Sequence, residues 1–163
     1  MDLLSLIPDN ISEVLLKVIQ FTELRRSILY RNIHGVNTPG YAPRDLPVIE
    51  FAEVLNAAIN EHVRHHRLLF RDTANIAFGG GGAMRIHPIV DESARTLLET
   101  NRDEYLELQI DRLLENFLNQ KVAEQLMQQN AGPICGSVRV DRDEVMASDM
   151  FPEDSPSPPN STD

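Results

Sequence analysis

The helical pattern of residues 10–33 cannot run past Thr38-Pro39-Gly40. The following proline pushes Thr38 out of the α region, Pro39 has no N–H to donate, and Gly40 can take a positive φ. Thr38 to Tyr41 therefore predict a tight turn with Pro at its second position and Gly at its third. Whatever follows must leave the first helix at an angle fixed by that turn.

Inside 10–33, Asn10 and Glu13 have the spacing of a capping box, with Pro8 just upstream. Val14, Val18, Phe21, Leu24 and Ile28 recur at three- and four-residue steps, widened by Leu15, Ile19 and Leu29. Glu13, Lys17, Glu23 and Arg26 lie on the opposite face and read as solvated. Such a helix would be about 36 Å long and needs a partner to cover its stripe. A second helix is expected over 47–70, with Pro47 in its first turn and Val48, Phe51, Leu55 and Ile59 on one face. From His62 to Arg71 it turns basic.

Residues 72–100 read as a flexible connector centred on the four glycines Gly79 to Gly82. Met84 to Pro88 could form a short extended piece, and 93–100 a short helix. A third long helix is expected over 102–129, opened by the capping-box spacing of Asn101 and Glu104. Leu106, Ile110, Leu113 and Phe117 form its apolar seam, broadened by Leu114, Leu118, Val122 and Leu126. This seam is the expected partner of the first helix. The fold expected is all-α: long N- and C-terminal amphipathic helices paired as a coiled coil or small bundle around a flexible middle. The helical domain spans 1–130. Residues 131–163, acidic and rich in Pro and Ser, read as a disordered tail.

The run Asn32-Ile33, then Thr38-Pro39-Gly40-Tyr41, then Arg44-Asp45 resembles the signature of the flagellar basal-body rod family. That signature runs approximately Asn-Ile-Ala-Asn-x-x-Thr-Pro-Gly-Tyr; His34 and Gly35 stand where the family has Ala and Asn. Ala42 to Phe51 is most similar to the proximal rod members. Asn101, Leu106-Glu107, Ile110, Leu113 and Glu115-Asn116 align with the family's C-terminal helix, with Ile110 in place of a usual Met. The resemblance covers roughly 10–129 with an unmatched middle. Rod proteins usually end with the C-terminal helix, so the tail departs from the pattern.

The resemblance implies a structural subunit and no enzyme. It implies paired terminal helices, helical self-association with other rod subunits and basal-body components, and torque transmission. It also implies export through the flagellar channel without a cleaved signal, to a rod that spans the periplasm, and no cofactor. The seam Val14, Val18, Phe21, Leu24, Ile28, Leu106, Ile110, Leu113 and Phe117 would supply adhesion. Tyr41, an apolar ring with a polar tip, would suit an interface.

The residues themselves bound the alternatives. A formal charge of −10 argues against nucleic acid or anionic membrane as partner. No apolar run approaches the ~20 residues that span a bilayer, and the N-terminus lacks the basic and apolar regions of a secretory signal. One cysteine, Cys135, allows no intramolecular disulfide, and nothing in its surroundings positions a base beside it. His62, His65 and His66 share a helical face, but no carboxylate or Cys supplies the remaining ligands of a metal site. The glycine run lacks the Lys-Ser/Thr of a phosphate loop. Glu104, Glu107, Asp111 and Glu115 read as a solvated helix face. The competing reading is a soluble helical adaptor or accessory protein of a secretion or flagellar system.

Overall fold

The computed structural model of the chain describes residues 6–130. The tail expected over 131–163 lies outside the described residues, as do residues 1–5. The described chain is mostly helical. Four helices, α1 (Leu6–His34), α2 (Val48–His65), α3 (Glu92–Thr100) and α4 (Arg102–Asn130), are joined by four short strands. These are β1 (Arg44–Asp45), β2 (Ile76–Phe78), β3 (Met84–Ile86) and β4 (Ile89–Val90).

Helix α1 begins at Leu6, so Asn10 lies inside it and not at its first residue. Pro8 is tolerated because it falls in the first turn, where backbone N–H groups have no intrahelical acceptor. The helix tightens through Gly35–Asn37 and is then turned aside. Tyr41 N donates to Thr38 O at 3.2 Å and Gly40 has φ +71°, a turn of type II.

Helix α2 runs antiparallel to α1. Its Phe51 ring stacks on Phe21 with centroids 4.0 Å apart and planes 8° from parallel. At its other end His62, with Leu68 just beyond it, borders the same cleft as Asn10, Ile11 and Val14. The helix expected to reach residue 70 stops at His65. His66 takes the left-handed conformation at φ 53°, and its N–H donates to His62 O at 2.8 Å. That cap frees the next residues to fold back, and Phe70 stacks on Phe78 at 5.2 Å.

The glycine run is a turn, and it is not the loose hinge that the sequence suggests. β2 and β3 pair antiparallel, Ile76 with Ile86 and Phe78 with Met84, and the glycines close the hairpin. Gly81 (φ 68°) and Gly82 (φ 79°) supply positive φ angles that most side chains resist. β1 pairs antiparallel with β4, Arg44 opposite Val90 and Asp45 opposite Ile89, which ties the connector back to the segment after the turn.

The core gathers Phe21, Ile28, Leu46, Phe51 and Ile76, with Val18, Leu55, Phe78, Met84 and Ile86 packed around it. The apolar stripe of α1 is therefore buried against α2 and the hairpin. Helix α4 lies antiparallel along another side of α1.

Candidate functional site

Asn32, on the last turn of α1, is fully buried and every polar group of its side chain is occupied. Its Nδ2 donates to Gln109 Oε1 at 2.9 Å and to Arg44 O at 2.8 Å. Its Oδ1 accepts from Tyr41 OH at 3.0 Å and from Arg44 N at 3.2 Å. Its backbone O accepts from Tyr105 OH at 2.9 Å. One asparagine thus pins the turn, the strand after it and α4 to the end of α1. Buried polar groups must be satisfied in this way, and Asn carries both donors and acceptors. Burial pushes the Tyr105 hydroxyl up to about 12, helped by the nearby Tyr41 and Asp91 and opposed by Arg112. Burial likewise raises Tyr41, against the pull of Arg31 and Arg44.

Beside this cluster Asp45 takes a bidentate grip from Arg25: Nε to Oδ1 and Nη2 to Oδ2, each 2.9 Å. Both side chains are nearly buried. Asp45 Oδ1 also accepts from Leu46 N at 2.8 Å. Arg112 of α4 lies 3.8 Å from Asp45 and is hydrogen-bonded to Asp91. Asp91 caps α3, accepting from Ala94 N at 3.0 Å and Ser93 Oγ at 2.7 Å. Burial opposes its ionisation, but the Ala94 and Ser93 hydrogen bonds and Arg112 together hold its carboxyl below the usual range. The planar guanidinium of Arg25 suits a buried pair that a lysine would match poorly.

Of the eight motif residues, Asn32, Tyr41, Arg44 (through its backbone) and Asp45 converge here. Thr38, Pro39 and Gly40 form the exposed turn beside them and Ile33 is half-buried. That turn and the junction of α3 with α4 flank an open depression of about 580 Å³.

Lys17, expected on a solvated face, is 2% exposed. Its Nζ donates to Gly82 O at 2.6 Å and lies 5.9 and 5.8 Å from the ring centroids of Phe70 and Phe78. The hairpin folds over α1 and encloses it, with aromatic faces replacing water around the charge.

The seam differs most from expectation. Phe21 and Ile28 are buried and Val14 and Val18 half-buried, but Leu24 is half-exposed. On α4, Leu106 and Leu113 are half-buried, whereas Ile110 is 55% and Phe117 50% exposed. The residues of α4 that are buried are Tyr105, Gln109, Asn116, Gln120 and Ala123. Asn116 Nδ2 donates to Thr22 O at 2.8 Å, as Gln109 and Tyr105 bond to Asn32. The cause is the surface α1 offers. Asn32 takes its partners Gln109 and Tyr105, and the Thr22 carbonyl its partner Asn116, from the polar face of α4, so that face turns inward and Ile110, Leu114, Phe117 and Leu118 are left outside. Sequence reading passed over this face, although Tyr105, Gln109, Asn116 and Gln120 recur at helical spacing with uncharged polar side chains.

His62 and His66 meet ring edge to face at 6.4 Å, and His65 lies 3.3 Å from Glu61. Among the described residues no group of three His, Cys, Asp or Glu side chains is placed to hold a metal. No described helix is long and apolar enough to cross a membrane. Comparison with protein-family models, curated proteins and solved structures gave no match.

Proposed function

We propose that this chain is a structural subunit of the bacterial flagellar basal-body rod, resembling the proximal rod protein FlgB, and that its work is mechanical. The observation that carries the reading is the outward apolar face of α4, where Ile110, Leu114, Phe117 and Leu118 are each about half exposed. The hydrophobic effect favours covering such a face, and neighbouring subunits would cover it. Contiguous exposed apolar area of this kind marks an association surface more often than a catalytic one. In the assembled rod, α1 and α4 would pair with neighbouring helices in coiled-coil fashion, and repeated contacts would give rigidity. The motif residues support the same reading: Asn32, Tyr41 and Asp45 hold the chain's exit from α1 at one angle, as a subunit that transmits torque requires. The subunit would reach the rod through the flagellar export channel without a cleaved signal, and would use no cofactor.

The test is mass spectrometry of purified hook–basal bodies. The expected result is this chain in near-stoichiometric amounts with the other rod proteins. Its absence from otherwise intact basal bodies overturns the assignment.

One feature favours the adaptor reading. Leu15, Val18, Phe51, Leu55, Val122 and Leu126 line an open, mostly apolar groove of about 370 Å³ between α1, α2 and α4. A soluble, discrete complex with a partner helix in that groove, instead of incorporation into an axial structure, would establish it.

A further inference from the structure

We propose that the open edge of β4 and the groove beside it take an extended segment of another protein, apolar at alternate positions and carrying lysine or arginine. The inference goes beyond the mechanical reading above and does not rest on it.

The hydrogen bonds of β1 show which edge is open. Asn32 Nδ2 donates to Arg44 O, and Asn32 Oδ1 accepts from Arg44 N, so both backbone groups of Arg44 face α1 and turn away from β4. One residue earlier, Asp91 N donates to Pro43 O at 3.0 Å across the ladder. Bonded and non-bonded pairs alternate along an antiparallel ladder. Arg44 opposite Val90 is therefore a non-bonded pair, and the N–H and C=O of Val90 point outward from β4. Neither has a hydrogen-bond partner among the described residues. The Asn32 side chain thus closes the outer edge of β1, and nothing among the described residues closes that of β4. Such an edge is a template for one more strand.

The surface beside this edge is apolar. β4 borders an open groove of about 710 Å³ whose other wall is the start of α2. Ile49 on that wall is 77% exposed, more than any other large apolar side chain among the described residues. Val48, Ile89 and Val90 are partly exposed beside it. A segment laid along β4 can exchange two hydrogen bonds with Val90 and set every second side chain against Ile89 and Ile49.

Charge selects the segment. The carboxylates Asp45, Glu50, Glu53, Asp91 and Glu92 line the groove, and Arg112 is the one cation among them. Arg25 grips Asp45, Arg112 bonds to Asp91, and Arg95 stands 3.9 Å from Glu92. Glu50 accepts from Asn75 N and Nδ2, which bring no charge. Glu53 has no hydrogen bond or ion pair among the described residues. Arg71 shares a second depression with Glu50 and Glu53 but forms no ion pair with them. Glu50 and Glu53, one helical turn apart, are therefore the pair left to receive a lysine or arginine. A second copy of this chain, at −10, is disfavoured as the occupant by the same charge.

The test is selection from a displayed library of random short peptides against the full chain, with the Ile49→Asp variant as counter-target. The expected sequences alternate apolar residues and carry lysine or arginine. One of them, titrated by fluorescence anisotropy, should bind the full chain more weakly as salt is raised. Its affinity should fall at least about tenfold with Ile49→Asp and again with Glu53→Lys. Val90→Pro removes the outward N–H and spares the β1–β4 ladder, so it should weaken binding at least about fivefold. Val90→Thr keeps that N–H and should bind nearly as the parent does. All three positions are exposed and circular dichroism checks the fold; Ile49→Asp carries the test should Val90→Pro fail to fold. No enrichment over the counter-target overturns the proposal, as do enriched peptides that are acidic or apolar at helical spacing. Equal binding by Val90→Pro and Val90→Thr overturns it too. So does a change in the sedimentation of the chain alone with Ile49→Asp, which would make a second copy the occupant. None of these touches the basal-body result, so the rod assignment and this site can fail separately.

Discussion

The ring of Tyr41 occupies the space in which a side chain at Gly35 would begin. A Cβ on Gly35 would sit 2.6 Å from Cε2 and Cζ of that ring. Gly35 is therefore needed for close approach, whereas Gly40 is needed for its positive φ, with nothing within 4 Å of a Cβ built there. The ring is held in place by its hydroxyl, which donates to Asn32.

Gly35→Ala should displace the Tyr41 ring and cost about 1–3 kcal/mol. In that background Tyr41→Phe should cost less than it does alone, because the hydroxyl will already have lost Asn32. A double-mutant cycle by urea denaturation measures the coupling. Strict additivity would show that the ring and the glycine are independent.

Asn32→Leu keeps the volume and removes the polar side chain that joins α1, the turn and α4. It leaves Gln109, Tyr41 and the Arg44 backbone without this partner, and at about 1–3 kcal/mol for each stranded group the loss should be at least about 3 kcal/mol. Asn37→Leu, on the exposed turn, should fall within about 0.5 kcal/mol of the parent. Similar midpoints for the two variants in chemical denaturation would refute the central role given to Asn32.

Lys17→Met should cost about 1–2 kcal/mol, from the lost carbonyl bond and the lost ring contacts. Its signature should be local. Hydrogen exchange should quicken at the amides of 76–86 while the amides of α4 stay protected. A uniform loss of protection would mean that Lys17 does no more than fill space.

The pH dependence should have two limbs. Tyr105 titrates at about 12 when folded, above its ordinary value of 10.0, so folding favours the neutral phenol. Its contribution is complete below pH 10 and is lost as pH rises from there towards 12. Asp91 and Glu50 are shifted the other way: Asp91 despite burial, through the Ala94 and Ser93 bonds and Arg112, and Glu50 chiefly through its bond to Asn75. Their contribution is complete above the ordinary carboxylate range and fades as pH falls below it. Thermal melts from pH 2 to 12 would show both limbs. Tyr105→Phe should flatten the alkaline one, and an unchanged alkaline slope would contradict the assignment.

How legible this was in the sequence varied with the kind of signal. The turn at Thr38–Tyr41 could be read because proline and glycine act on their own backbone. The cap of α4 could be read for the same reason, and Asn101 Oδ1 accepts from Glu104 N at 3.3 Å. What could not be read depended on partners far away in the chain. Lys17 looks solvated until the hairpin 76–86 is folded over it. The outward seam of α4 looks like an inward one until Asn32 and the Thr22 carbonyl are seen to take their polar partners from α4. Apolar periodicity says which face prefers burial. It does not say whether the same chain supplies the cover.

The polar contact between α1 and α4 has a geometric consequence. An oily seam can slip along its partner by one turn, about 5.4 Å, and give up little area. Here the same slip would break the bonds of Asn32 to Gln109 and Tyr105 and of Asn116 to Thr22 all at once. Directional bonds of this kind work as a ruler: the α1–α4 pair has one permitted length. In a stack of identical copies, a one-turn error in each would accumulate along the stack, and this interface keeps every copy to the same gauge.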